Sequence, residues 1–175
     1  MPTRELIMRE ILQALTSARA ADQRPQRGVQ TLHSETVVPV PLDRTFAFFV
    51  DAQNLERLTP PWLSFRIQTP MPIEMREGTL IDYVIELYGV PIPWRTQIDA
   101  WEPGVRFVDR QIAGPYRWWH HEHRFEAVDR GTRVIDHVEF VPRAAWLSLW
   151  LVKRDVGRIF AFRQAALAQL LARVG

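Results

Sequence analysis

The feature that most restricts this chain is the even spacing of its turn signals between Trp62 and Pro142. The run LSFRIQT, Leu63 to Thr69, alternates like a strand and is closed by Pro70. Gly78 to Tyr88 follows, with Ile81, Tyr83, Ile85 and Leu87 on one face and Asp82 and Glu86 on the other. Gly89-Val90-Pro91 turns the chain into a strand expected over Trp94–Trp101, and Glu102-Pro103-Gly104 turns it into one over Val105–Ile112. Gly114-Pro115 leads into Tyr116–Val128, and Asp129-Arg130-Gly131 opens Thr132–Val141. Connections this short join antiparallel neighbours. They leave no room for the helical crossovers of a parallel sheet, so the spacing predicts an antiparallel meander.

Upstream, Leu32, Ser34, Thr36, Val38 and Val40 alternate with His33, Glu35 and Val37, which predicts a further strand, with Pro39 and Pro41 at its end. Asp43 is placed to cap a short helix carrying Phe46, Phe48 and Phe49, and Asp51 a second one reaching Leu58, stopped by Thr59-Pro60-Pro61. Pro142 ends the sheet. Ala145 to Leu171 then carries Val156, Ile159, Phe160, Arg163, Leu167, Leu170 and Leu171 at helical spacings, with Gly157 as a weak point. Seven strands at roughly 4.8 Å span about 30 Å, whereas one helix is about 10 Å wide. The sheet can cover its apolar face only by curling around the helix, and that geometry tends to leave a hollow.

Arg4 to Ala18 places Leu6, Ile7, Ile11, Leu12 and Leu15 on one stripe, and a polar stretch broken by Pro25 and Gly28 follows. We therefore divide the chain into a helical extension and linker, 1–30, and a main domain, 31–175. The extension is expected to dock on the body or to serve a homodimer or partner contact. Its first residues alternate charge with apolar side chains, unlike a secretory leader, and no run approaches the length needed to span a bilayer. With no cysteine, disulfides, thiolate metal sites and cysteine nucleophiles are excluded. The cytoplasm is the expected location. Basic residues are almost all arginine, scattered along the sequence with Lys153 the sole lysine, so there is no nucleic-acid footprint. Seven Trp and nine Phe exceed what such a core needs and favour a pocket for an apolar ligand.

The runs VPVPLDRTFAFFVDAQNLERLTPPW, FVDRQIAGPYRWWHHEHRF and RDVGRIFAFRQAAL resemble the SRPBCC or START-like superfamily, which includes polyketide cyclase/dehydrase-like, coenzyme-Q-binding and birch-pollen-allergen-type proteins. The similarity covers about Thr31 to Leu171, most specifically in the stretch from Gly114-Pro115-Tyr116 to Phe125, and the extension before Thr31 departs from it. The resemblance implies the α+β helix-grip fold: a curved seven-stranded antiparallel sheet around a long C-terminal helix, with two short helices after the first strand. It also implies binding of a hydrophobic small molecule, and some members of this type are fused to epimerase-like domains.

Period 2 puts Trp119, His121, His123 and Phe125 on one face of their strand, against Trp118, His120, Glu122 and Arg124 on the other. The more apolar faces should be inside, which brings His121 and His123 to Asp136 and offers Asp109 and Gln111 from the preceding strand. Such a polar group in an apolar setting has three readings: a network that fixes the sheet or holds the polar end of a ligand, an acid–base pair, or a metal site. The catalytic candidates are His121, His123, Asp136 and Asp109. For a metal the ligand set is incomplete, because His33 and His137 fall on other faces, and neither metal nor organic cofactor is expected. The ligand-binding candidates are Tyr83, Trp94, Phe107, Gln111, Tyr116, Trp119, His121, His123, Phe125, Asp136 and Phe160. Trp146 and Trp150 in AAWLSLWLVKR suggest packing, a dimer face or peripheral membrane contact. The leading expectation is binding, sequestration or transfer of a hydrophobic or amphipathic small molecule. Its rivals are a cyclase, dehydratase or isomerase and a protein-interaction module beside an epimerase-like partner.

Overall fold

The computed structural model describes residues 23–87, 89–143 and 149–172. The helix expected over Arg4–Ala18, Trp146 and the side chain of Trp150 lie outside the described residues. The elements are β1 (Gln30–Val38), α1 (Leu42–Val50), α2 (Gln53–Leu58), a 3-10 turn (Pro61–Leu63), β2 (Arg66–Ile67), β3 (Leu80–Leu87), β4 (Val90–Glu102), β5 (Arg106–Ala113), β6 (Tyr116–Val128), β7 (Gly131–Pro142) and α3 (Leu149–Ala172). One antiparallel sheet runs in the order β1-β7-β6-β5-β4-β3-β2, curved around α3. Register shifts in β4 between Arg95 and Thr96 and between Ile98 and Ala100, and in β6 between Tyr116 and Trp118, bend the sheet as extra residues in one strand do. None of the described helices is long and apolar enough to cross a membrane.

Four local expectations are corrected. The strand expected over Leu63–Thr69 shrinks to Arg66–Ile67, because Ser64 takes a left-handed conformation and the N–H groups of Gln68 and Thr69 both go to the Asp82 carbonyl, which ends the ladder. The strand expected from Trp94 begins instead at Val90 and runs through Pro91 and Pro93. Pairing of β4 with β5 begins only at Arg95, so this first stretch has β3 alone as neighbour and needs no second row of N–H donors. Asp43 does not cap α1: Pro41 stands at the cap, and Asp43 lies in the first turn, where its charge still suits the helix dipole. Gly157 does not interrupt α3.

The interior has two apolar centres. Phe46 and Phe49 of α1, Phe107, Phe125, Val134, and Leu167 of α3 form one; Val138, Phe140, Val152, Val156 and Phe160 form the other. Helix α3 spans both and is tied to β1 by Gln164, whose side-chain amide donates to Ser34 Oγ at 2.8 Å and to the Glu35 carbonyl at 3.1 Å. Gly131 sits where the end of β1 meets β7: a Cβ there would lie 2.1 Å from the Val38 carbonyl oxygen, at φ +128°. Gly157, by contrast, has open space around it. Gly131→Ala is therefore expected to destabilise by roughly 2–4 kcal/mol through steric clash and strain. Gly157→Ala should stabilise by up to about 1 kcal/mol through helix propensity. Urea denaturation of the two variants checks both signs.

Candidate functional site

Two rows of residues cross the covered face. Ser34, Asp136, His123 and Phe107 lie abreast on β1, β7, β6 and β5, and the next row holds Leu32, Val138, His121, Asp109 and Ile98. The alternation of β6 thus brings His121, His123, Asp136 and Asp109 together between the two apolar centres. His121, His123 and Asp136 are only 5%, 3% and 5% exposed. Asp109 is the member that reaches accessible space, its side chain 19% exposed. His120 and Glu122 lie on the outer face, in a depression that also includes Arg110 and Glu139.

Each imidazole bridges both carboxylates. His121 Nε2 stands 2.9 Å from Asp136 Oδ1 and its Nδ1 3.4 Å from Asp109 Oδ2. His123 Nε2 stands 2.9 Å from Asp109 Oδ2 and its Nδ1 2.9 Å from Asp136 Oδ1. The rings are 3.7 Å apart, with His123 stacked on Phe107 at 4.3 Å and His121 edge-on to Phe160 at 5.3 Å. From α3, Arg163 places Nε 3.9 Å from Asp136 Oδ2 and Nη2 3.4 Å from His123 Nδ1, with its guanidinium over the Phe49 ring. Arg163 Nε is buried without a hydrogen-bond partner.

The titration of the group follows from these distances. Burial alone would raise both carboxyls, but the charges and donors facing them win. Asp109 lies below its usual value through His121, His123 and Arg163, and Asp136 well below it through Arg163 and the two imidazoles. His121 is pushed down to about 4 by burial and by the charge on His123. His123 is opposed by burial yet raised overall, because both carboxylates accept from it. Two carboxylates, one imidazolium and one guanidinium then sum to neutrality, with His121 uncharged. A cluster of this size, with His121, His123 and Asp136 buried, demands that balance.

The remaining expected residues divide into two kinds. Phe107 and Phe125 pack with Phe46 and Phe49 in the first apolar centre. Gln111 is fully buried and spends its side-chain amide on the backbone of Tyr116, closing the β5–β6 turn. Tyr83, Trp94, Tyr116 and Trp119 instead form a chain of touching rings that ends on Phe140, with centroids 4.8 to 6.0 Å apart. Trp94 is buried, while Tyr83, Tyr116 and Trp119 keep part of their surface accessible on this covered face. Tyr83 is raised well above its usual value by burial and then by the Asp109 charge. Arg163 was not among the expected site residues. Its signal was a permanent cation inside an otherwise apolar helical stripe.

Residues 36–171 match the family model described as Domain of unknown function (DUF8410). No curated protein matches the chain. Among solved structures the chain is similar to Ara h 8.0201, at 20% identity and a TM-score of 0.64, covering 83% of this chain and 99% of that one. It is similar to the Zhui aromatase/cyclase from Streptomyces sp. R1128, at 18% identity and a TM-score of 0.68, covering 83% and 94%. It is also similar to the di-domain ARO/CYC StfQ from the steffimycin biosynthetic pathway, at 12% identity and a TM-score of 0.65, covering 83% and 52%. The shared architecture is the helix-grip fold.

Removing one charge from the cluster leaves the others uncompensated. Asp136→Asn is expected to destabilise by about 3–5 kcal/mol, as breaking a buried pair does. Asp82→Asn removes the half-exposed partner of Arg95 at 2.6 Å and should cost under about 1 kcal/mol. Equilibrium denaturation at neutral pH separates the two.

Proposed function

The chain belongs to the DUF8410 family, and on that premise we propose that it binds an amphipathic small molecule between the sheet and α3, for sequestration or transfer. The carrying observation is that Tyr83, Tyr116 and Trp119 stay partly accessible on the covered face, as does Asp109. A core closed for stability alone gains by sealing such rings. The apolar body of the ligand lies along the rings, and its polar end meets Asp109. Behind Asp109, the two imidazoles and Asp136 hold that carboxylate in place. Similarity in fold to Ara h 8.0201 and to two aromatase/cyclases is consistent with this reading.

A neutral His121 beside a charged His123 favours a second reading, acid–base catalysis of the cyclase, dehydratase or isomerase kind, since neighbouring groups with divergent protonation are the usual acid and base pair. Both imidazoles are sealed, however, with their nitrogens facing carboxylates. A substrate would meet Asp109 first, and in this reading the proton passes through it.

The test is titration with 1-anilino-8-naphthalenesulfonate, followed by its displacement with whatever molecule the purified protein retains on native mass spectrometry. An indole contacting ~80 Å² of ligand contributes about 2 kcal/mol at 25 cal/mol per Å², so Trp119→Ala should weaken binding about 30-fold. Asp109→Asn alters one polar contact worth about 0.5–1.5 kcal/mol and should weaken it about 10-fold or less. Loss of binding in Asp109→Asn with full binding in Trp119→Ala would overturn the apolar reading. Turnover of the retained molecule by the wild type, lost in Asp109→Asn, would establish the catalytic one.

A further inference from the structure

We infer that Asp109, His121 and His123 form a binding site for a divalent transition cation of the zinc class, with Asp136 orienting both imidazoles. The sequence alone had left this ligand set incomplete. The inference goes beyond the ligand reading and does not depend on it.

Asp136 touches both rings. Its Oδ1 lies 2.9 Å from one nitrogen of each ring, Nε2 of His121 and Nδ1 of His123. An ionised carboxylate only accepts, so each of those nitrogens carries a proton. A neutral imidazole has its lone pair on the other nitrogen. Those nitrogens, Nδ1 of His121 and Nε2 of His123, both face Asp109 Oδ2, at 3.4 and 2.9 Å. Asp136 therefore fixes the tautomer of His121 and aims its lone pair at Asp109, while His123 turns Nε2, the nitrogen whose proton Asp109 accepts, toward the same oxygen. This is the arrangement in which an outer carboxylate orients metal-ligating histidines.

The spacing also fits. One donor atom from each of Asp109, His121 and His123 lies within 4.8 Å of the other two. Two ligands about 2.0–2.1 Å from a tetrahedral zinc stand about 3.3–3.4 Å apart, so the two contacts to Asp109 need to open by at most a few tenths of an ångström. A cation there replaces the proton that His123 shares with Asp109. Two imidazoles and a carboxylate are a donor set for zinc, cobalt or iron rather than for calcium or magnesium. Arg163 stands beside the orienting carboxylate, with Nε 3.9 Å from Asp136 Oδ2 and Nη2 3.4 Å from His123 Nδ1, the nitrogen turned away from Asp109. Three protein ligands leave one further position of a tetrahedral ion open. A doubly charged cation in exchange for one proton leaves the cluster one charge in excess, so an anionic oxygen is the favoured occupant of that position.

The experiment is titration of metal-stripped wild-type protein with cobalt(II), read by its visible ligand-field bands, then displacement by zinc. One equivalent is expected to give the bands of a four- or five-coordinate ion, lost on adding zinc. Asp109→Asn should weaken binding at least 100-fold. Asp136→Asn should weaken it about 10–100-fold, the usual effect of an outer partner, while leaving the band positions unchanged in the folded fraction seen by circular dichroism. The competing explanation is the surface pair His33 and His137, whose rings lie 6.3 Å apart. A His33→Ala/His137→Ala double variant should bind cobalt as the wild type does. Absence of ligand-field bands at one equivalent in the wild type, or bands lost in the double variant and retained in Asp109→Asn, overturns the proposal. The wild-type and double-variant measurements do not require any cluster variant to fold.

Discussion

A sheet about 30 Å across cannot be sealed by a helix about 10 Å wide, and the rest of this molecule is arranged around that mismatch. Curvature through the irregularities of β4 and β6 draws the strands around α3. The short helices α1 and α2 close one end, where Phe46 and Phe49 meet Phe107 and Phe125. Elsewhere on the covered face Tyr83, Tyr116 and Trp119 take over, packed ring on ring and, among the described residues, still partly accessible. The packed end and the accessible wall follow from one covering helix and its two stubs.

Between the ends stands a group of charges whose burial is costly unless every member is answered. Its members come from β5, β6, β7 and α3, and none is neighbour to another's partner in sequence. The cluster therefore works as a tertiary registration device as well as a polar site. A one-residue slip of β6 would turn both histidines outward and leave Asp136 and Arg163 facing apolar surface. Arg163 extends that demand to the helix, since its guanidinium must reach Asp136 while Phe160 meets His121 one turn earlier.

Much of this was legible in the sequence where period 2 was clean and turns were marked. Strand β6 has the expected bounds, Tyr116–Val128, and its face assignment placed His121 and His123 correctly. Elements failed to be legible where the deciding interaction was not local. Pro91 and Pro93 argued against strand until the register showed that β4 has an open side there. The run Leu63–Thr69 alternated like a strand but lost its ladder to two donors sharing the Asp82 carbonyl. Gln111 had the right face and was still misleading as a pocket residue, because its amide is consumed by the Tyr116 backbone across a tight turn. Arg163 was visible on its helical stripe, but nothing along the helix indicated that its charge was needed by a residue on β7.

The same division separates what is fixed in this site from what is adaptable. The cluster is over-determined: its two carboxylates lie below their usual titration range, and each imidazole is held from two sides. It can offer the interior little besides the outer face of Asp109. The wall is the reverse, a run of rings joined mainly by edge and tilted contacts, which exchange one apolar neighbour for another at small cost. A polar anchor that cannot move, beside an apolar surface that can re-pack, fixes the orientation of a bound molecule more strictly than its shape. In a fold held by a single gripping helix, specificity then resides chiefly in the rings, where substitution does not disturb the charge balance on which the register of β6, β7 and α3 depends.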